Sequence, residues 1–236
     1  MPVNYIRYFY LAVALILGGV STIIKLQCNR NKNASVEKVQ SAISNYGTFE
    51  TFNVGRSISY LSEDEMRSFM YANGFKDLNN FRLGILRRIY LAHGYAPMYR
   101  EMALHTGLDE SIIFSLHIFE STINGIETDL FAEHKNPGGI KYRGRGYKVL
   151  WFDDCRNDSG LSIPCEFEGL NTYQDMLDAW TEVLNARRYD NCKTLSDIQS
   201  TCKCLQQAGY HTANSYKQRY RLAEQYYILQ NHFPVP

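Results

Sequence analysis

The stretch Asp109 to Lys141, DESIIFSLHIFESTINGIETDLFAEHKNPGGIK, decides how the rest of the chain is read. It opens as a helix. Asp109 follows the Thr106-Gly107 break as an N-cap, and Ile112, Ile113, Leu116 and Phe119 recur at the spacing of one buried helical face. Glu120 ends that face. Its helical neighbours toward the N-terminus, His117, Leu116 and Ile113, set its carboxyl beside apolar surface, near the negative end of the helix dipole. Burial and dipole both favour the protonated acid, the form a general acid needs near neutral pH. A helix-end glutamate by itself more often points into water, so the residues around it carry the weight.

The chain has 236 residues, 45% hydrophobic and 21% charged, enough for one domain with a full core. A net charge of +1 calls for neither nucleic acid nor an acidic partner. Tyr8 to Ile24, YFYLAVALILGGVSTII, carries no charge and lies between Arg7 and Lys25. This is short for a membrane span and long for the apolar part of a signal peptide. It reads either as an uncleaved membrane anchor or as a cleaved signal, with Gly19-x-Ser21 as the small-residue site. Cys28 follows Lys25-Leu26-Gln27, a poor match to a lipoprotein cleavage site. The division expected is 1–28 anchor or signal, 29–60 polar spacer and 61–236 folded domain. The bulk of the chain is expected to be exported, either facing the periplasm or cell envelope from a membrane anchor or secreted.

Ser62-x-x-Glu65 is a capping box for a helix reaching Gly74, a second helix is expected from about Asn80 to His93, and a third begins with Pro97 at N1. After Lys141 the period changes. Ile140 to Arg143, a Gly144-Arg145-Gly146 turn and Tyr147 to Phe152 alternate as a β-hairpin should. Lys141, Arg143, Arg145 and Lys148 on it are either a solvated face or the basic border of a groove. Thr172-x-x-Asp175 caps a helix with Met176, Leu177, Trp180, Val183 and Leu184 inward, ending at Arg187-Arg188. Thr194-x-x-Asp197 opens another, which Gly209 closes. In an exported chain Cys155 and Cys165 are expected to form a disulfide, and Cys192 to pair with Cys202 or Cys204 in preference to a zinc site with His211.

Several blocks between Ala96 and Tyr226 resemble, in order, the bacterial glucosaminidase family, the peptidoglycan-cleaving N-acetylglucosaminidases of autolysins and flagellar hydrolases. Ala103 to Ser111, ALHTGLDES, is similar to its Ala-x-x-Thr-Gly-(Leu/Ile)-x-x-Ser lead-in. Glu120-Ser121, Asn124-Gly125, Leu130-Phe131 and Asn136-Pro137-Gly138-Gly139-Ile140-Lys141 resemble its central signature. Phe167 to Asp190 resembles its next helix, and Gly209-Tyr210-His211-Thr212 its Gly-Tyr-Ala-Thr. The chain departs from the family at Leu116 to Phe119, at Ile123-Asn124-Gly125 with one extra residue where Trp-Gly is usual, and at Ala213-Asn214 for Asp-Pro.

The resemblance implies an α+β, mainly helical, lysozyme-like domain with a small β-hairpin lobe across a groove. The implied activity is hydrolysis of the β-1,4 bond after N-acetylglucosamine in peptidoglycan without metal or cofactor. Glu120 would be the acid, Tyr210 would hold the acetamido group, and Ser121, Asn136, Gly139, Lys141, Tyr142 and Asp153 would border the substrate. Glycoside hydrolysis commonly uses a second carboxylate across the cleft. Asp154 is the first choice here and Asp153 the second, ahead of Glu166 and Glu168; the acetamido group of the substrate is an alternative nucleophile. The expected partners are a peptidoglycan glycan strand and the membrane, with no nucleic acid. Rival readings are a lytic transglycosylase or muramidase on the same fold, a wall-binding envelope-assembly protein that holds glycan without cutting it, and a DNA-contacting export component resting only on the basic hairpin.

Overall fold

The computed structural model describes residues 61–211 and 215–233, with the backbone but not the side chain of Asp154. The expected anchor of 1–28, the expected spacer of 29–60 and the 212–214 stretch that begins with the threonine of the Gly-Tyr-x-Thr block lie outside the described residues. Among the described residues no helix is long and apolar enough to cross a membrane. The architecture is mainly helical α+β, consistent with the lysozyme-like expectation.

The first helices are α1 (Glu63–Ala72), α2 (Leu83–Gly94), α3 (Ala96–Thr106) and α4 (Glu110–Ser121). Their starts follow local chemistry. Ser62 and Glu65 close the reciprocal capping box of α1, and the Asp109 carboxylate accepts the Ser111 N–H at the head of α4. Helix α2 begins at Leu83 without a side-chain cap, a little later than its periodicity indicates. Helix α4 is buried on all sides from Ser111 to Ile118, not along one face. It is the central helix, packed between α3 and α9 (Tyr216–His232). Phe119 is half-buried, off that core. Each buried aliphatic or aromatic side chain of α4 contributes about 1.5–3 kcal/mol relative to exposure.

Within this core His117 is fully buried, with Nδ1 2.7 Å from the Tyr99 hydroxyl; burial pushes its pKa down to about 3, so it is a neutral core residue. The extra residue after Glu120-Ser121 is absorbed by a tight hairpin. Strands β1 (Thr122–Ile123) and β2 (Ile126–Glu127) pair through Thr122↔Glu127 and Ile123↔Ile126. Asn124 and Gly125 take φ of 54° and 77°, as a two-residue turn between antiparallel strands requires. The short α5 (Asp129–Ala132) follows, capped by Thr128.

The β-lobe departs from the sequence expectation. Residues 140–143 do not form the hairpin partner of Tyr147 to Phe152. Instead β3 (Tyr147–Arg156) pairs antiparallel with β4 (Ser162–Gly169) in a register that sets Val149 opposite Phe167 and Trp151 opposite Cys165, and Lys141 makes only a bridge to Phe167. Glu168 is the cause. Its buried carboxylate collects the backbone N–H groups of Arg143, Arg145 and Gly146, the last two at 3.2 and 2.9 Å, so 143–146 is a loop folded around an anion. Those N–H groups hold the Glu168 carboxyl below the usual carboxylate range in spite of its burial. Leu130, Val149, Cys165 and Phe167 form the lobe's own core, and Asp153-Asp154 lie within β3, not at the hairpin's end.

The chain closes with α6 (Tyr173–Leu184), a 3-10 turn at Arg187–Tyr189, α7 (Asp190–Lys193), α8 (Ile198–Gln207) and α9. Thr172 and Asp175 form the expected capping box, while the cap of α8 is Asp197 itself, accepting from Ser200 N at 2.8 Å. Cys155–Cys165 and Cys192–Cys204 are disulfides and Cys202 is a buried free thiol. The second bond settles which partner Cys192 takes and uses two of the sulfurs a thiolate zinc site would need.

Candidate functional site

Glu120 is delivered by the last turn of α4 and is about one-fifth exposed. Its Oε1 accepts from Nη2 of Arg219, a residue the sequence reading passed over. Arg219 is 1% exposed; its guanidinium lies 3.9 Å over the Phe119 ring and Nη1 donates to Ser215 Oγ. The helix-end carboxyl therefore meets a buried cation and not only the apolar surface inferred from its neighbours. A signal was present in the sequence: Arg219, Ala223, Tyr226 and Leu229 follow helical spacing and are all buried, so Arg219 is a charge on the inner stripe of α9.

The Asn136 to Lys141 loop comes up against the acid. Asn136 organises it: Oδ1 accepts from Ile140 N at 2.7 Å, and Nδ2 donates to the carbonyls of Ile140 and Glu168 at 2.8 and 2.7 Å. Buried Ser121, next to the acid, accepts from Gly138 N at 3.2 Å. Gly138 has φ of 76°, and a Cβ there would lie 3.3 Å from Tyr210 Oη and 3.5 Å from Glu120 Cβ. Only a residue without a side chain brings this backbone between the phenol and the Cβ–Cγ stem of Glu120.

Tyr210 Oη accepts from the indole N–H of buried Trp180 at 2.9 Å, which leaves the phenolic proton for another acceptor. Burial, then the neighbouring Glu120 charge, raises the Tyr210 pKa well beyond its ordinary value, so the group is a neutral donor. Gly138, Gly139, Lys141, Trp180 and Tyr210 wall a groove of about 220 Å³, with Glu120 behind Gly138. A neighbouring hollow of about 300 Å³ shares Ile140 and Arg143 but is walled by the 143–146 loop and Glu182, and of the carboxylates named from the sequence it holds only Glu168.

Thus Glu120, Ser121, Gly138 and Tyr210 come together, with Asn136 and Gly139 shaping the loop beside them. Lys141 lines the groove but commits its Nζ to the lobe, 4.0 Å over the Phe167 ring and 3.2 Å from exposed Asp153. Tyr142 gives its N–H to Glu166 O at 2.9 Å and its ring lies 5.2 Å from Lys148 Nζ, on the lobe. Glu166 pairs with Lys148 at 2.7 Å and Glu168 is committed to the 143–146 loop, so neither is poised as a second carboxylate. The side chain of Asp154 lies outside the described residues.

Chemically, this is a carboxyl with one oxygen held by a guanidinium, a neutral phenol donor beside it and a groove in front. Residues 96–227 match the family model for Glucosaminidase, described as mannosyl-glycoprotein endo-beta-N-acetylglucosaminidase. No curated protein sequence gives a significant match. Among solved structures, the catalytic domain of the autolysin Auto from Listeria monocytogenes is 17% identical with a TM-score of 0.51, the match covering 73% of this chain and 98% of that one. The peptidoglycan hydrolase from Sphingomonas sp. A1 is 18% identical with a TM-score of 0.47, covering 60% and 93%. The glycoside hydrolase domain of FlgJ from Salmonella typhimurium is 18% identical with a TM-score of 0.43, covering 61% and 89%. The Auto likeness agrees with the fold, and the family model spans more than half of the chain, including every element that brings Glu120 to Tyr210. The chain belongs to the glucosaminidase family and is a glycoside hydrolase of the endo-β-N-acetylglucosaminidase type.

Proposed function

We propose that the protein is a peptidoglycan hydrolase that cleaves the β-1,4 bond after N-acetylglucosamine, with Glu120 as the general acid. The observation that carries this reading is the meeting of the Glu120 side-chain stem and the Tyr210 phenol at Gly138, which lines a groove with Tyr210. Arg219 occupies Oε1, and among the described residues no donor reaches Oε2. The proton for the leaving oxygen is therefore assigned to Oε2, with Arg219 fixing the rotation of the carboxyl. Tyr210, its lone pair taken by Trp180, directs its O–H to the acetamido carbonyl and holds that group for attack on the anomeric carbon. The developing cation is met by the acetamido oxygen or by Asp154. Ser121 and Asn136 spend their polar atoms on the loop and act by positioning it. The reading includes export to the cell envelope through the N-terminal apolar stretch, as an anchor or as a signal.

The test is digestion of purified peptidoglycan by the full chain beside Glu120→Gln, with new ends identified by mass spectrometry after borohydride reduction. New reducing N-acetylglucosamine ends that vanish in the variant support the proposal. Anhydro-muramic ends would replace it with a lytic transglycosylase, and intact glycan with retained binding would make the protein a wall-binding module.

A further inference from the structure

The β-lobe turns one sheet face toward the groove loop, and the far half of that face is uncovered. Residues directly opposite on antiparallel strands share a face. Val149, Phe167, Trp151 and Cys165 therefore lie on one side of the β3–β4 pair, and Leu150 and Phe152 on the other. The first side is the one the groove loop packs on. Lys141, which lines the groove, sets its Nζ 4.0 Å over the Phe167 ring, and a Cβ at Gly139 would lie 3.4 Å from that ring. Val149, Cys165 and Phe167 are closed into the lobe's core with Leu130. Trp151 is not. It lies about 7 Å beyond Val149 along the strand. It is 36% exposed, and Ile163, two residues before Cys165 on β4, is 37% exposed at the same end of the face. The Cys155–Cys165 disulfide, with Cys165 directly opposite Trp151, holds this end of the sheet in place. Two residues on from Trp151, the exposed Asp153 carboxylate meets Lys141 Nζ at 3.2 Å. An exposed indole on a rigid sheet, with a carboxylate and an ammonium close by, is the chemistry that recognises a pyranose. The flat ring takes the C–H face of the sugar, and the charged groups take its hydroxyls.

We infer that Trp151 is a sugar-stacking platform on the lobe, which holds a pyranose of the glycan strand outside the groove of Gly138 and Tyr210. The inference rests on the glycan-cleaving reading above and adds to it a residue that grips the polymer away from the reacting bond. Such a contact is equally strong before and in the transition state, so it lowers KM and leaves kcat unchanged. It depends on a flat ring on the correct face, not on apolar area alone. Phe152 is the comparison built into the strand: the next residue, 69% exposed, on the opposite face.

The chain has two tryptophans and Trp180 is fully buried, so iodide reaches the indole of Trp151 alone. Peptide-free glycan strands added to the full chain carrying Glu120→Gln should shield that emission from iodide, and Trp151→Leu should lack the quenchable signal. With Glu120 intact, Trp151→Leu should raise KM for the same strands about tenfold and leave kcat within about twofold of the parent. Trp151→Tyr, which restores a ring, should recover most of that loss, and Phe152→Leu should change neither constant. Bound strands that leave the emission open to iodide, a Trp151→Leu KM equal to the parent's, or an equal loss in Phe152→Leu overturns the inference. If the chain with Glu120 intact cuts no glycan while strands still shield Trp151, the hydrolase reading has failed and the platform stands. If glycan is cut and Trp151 stays open to iodide, the platform has failed and the hydrolase stands.

Discussion

Replacing Gly138 by alanine separates two costs that usually come together. The backbone has φ of 76°, where an L-residue pays roughly 1–2 kcal/mol in conformational energy. The new Cβ would also press on Tyr210 Oη at 3.3 Å and on Glu120 Cβ and Cγ at 3.5 and 3.7 Å. Gly160 supplies the control: its φ is 77°, yet a Cβ there meets nothing within 4 Å. Both variants should lose about 1–2 kcal/mol of stability, a fall in Tm of roughly 2–8 °C for a domain of this size. Only Gly138→Ala should lose activity, because a displacement of the acid and the phenol by even a fraction of an ångström compounds toward about 100-fold per ångström. Thermal melts followed by circular dichroism give the first quantity, and release of reducing ends from peptidoglycan gives the second. A folded Gly138→Ala with activity within twofold of the parent, or a Gly160→Ala that loses as much as Gly138→Ala, would refute the assignment of the site.

Arg219→Met should lower kcat more than it raises KM, and a double-mutant cycle with Glu120→Gln should return a coupling of about 1–3 kcal/mol, because both side chains are partly or wholly buried; additive losses would count against the pairing. Trp180→Phe keeps most of the packing but removes the N–H donor to Tyr210, so activity should fall about tenfold for a neutral hydrogen bond of roughly 1–1.5 kcal/mol, with the far-ultraviolet spectrum unchanged. Glu127, whose carboxyl accepts from Tyr95, is pushed up to about 7 by burial. The folded state then holds a proton that the unfolded chain releases near 4.5. Its contribution is full below that pH and is lost as pH rises to about 7, by up to roughly 3 kcal/mol, and Glu127→Gln should flatten the unfolding free energy across that window. Removing Cys155–Cys165 by a double alanine substitution should cost about 3 kcal/mol by the loop-closure argument; an unchanged guanidinium midpoint would show that the lobe's own apolar core suffices.

The helices were legible because their starts are local. Ser62, Asp109 and Thr172 cap where the sequence places them, each through a side chain that satisfies an N–H in the first turn, two residues on for Asp109 and three for the others. Glu120, Ser121 and Gly138 were legible through one contiguous motif, and Tyr210 through a second, but their meeting depends on Gly138's left-handed backbone. The hairpin was misread because alternation in Ile140 to Arg143 is a local signal, while the true partner of Tyr147 to Phe152 is selected by Glu168, more than twenty residues from the amides it binds. Arg219 was missed for a related reason. A buried arginine is intelligible only once its carboxylate is known, and Glu120 lies 99 positions earlier.

Glu168 does the work of a missing strand with a single side chain, and this changes what the lobe can tolerate. A strand partner would tie the length and register of 143–146 to the sheet. A buried anion asks only that its N–H donors converge, so exposed side chains on that loop can change without disturbing β3 or β4 while the amides of Arg143, Arg145 and Gly146 keep their places. Arg143 rides on the same loop at the rim of the groove. The contour of the groove's rim is therefore set by side chains this scaffold can exchange, with one glutamate as the fixed point.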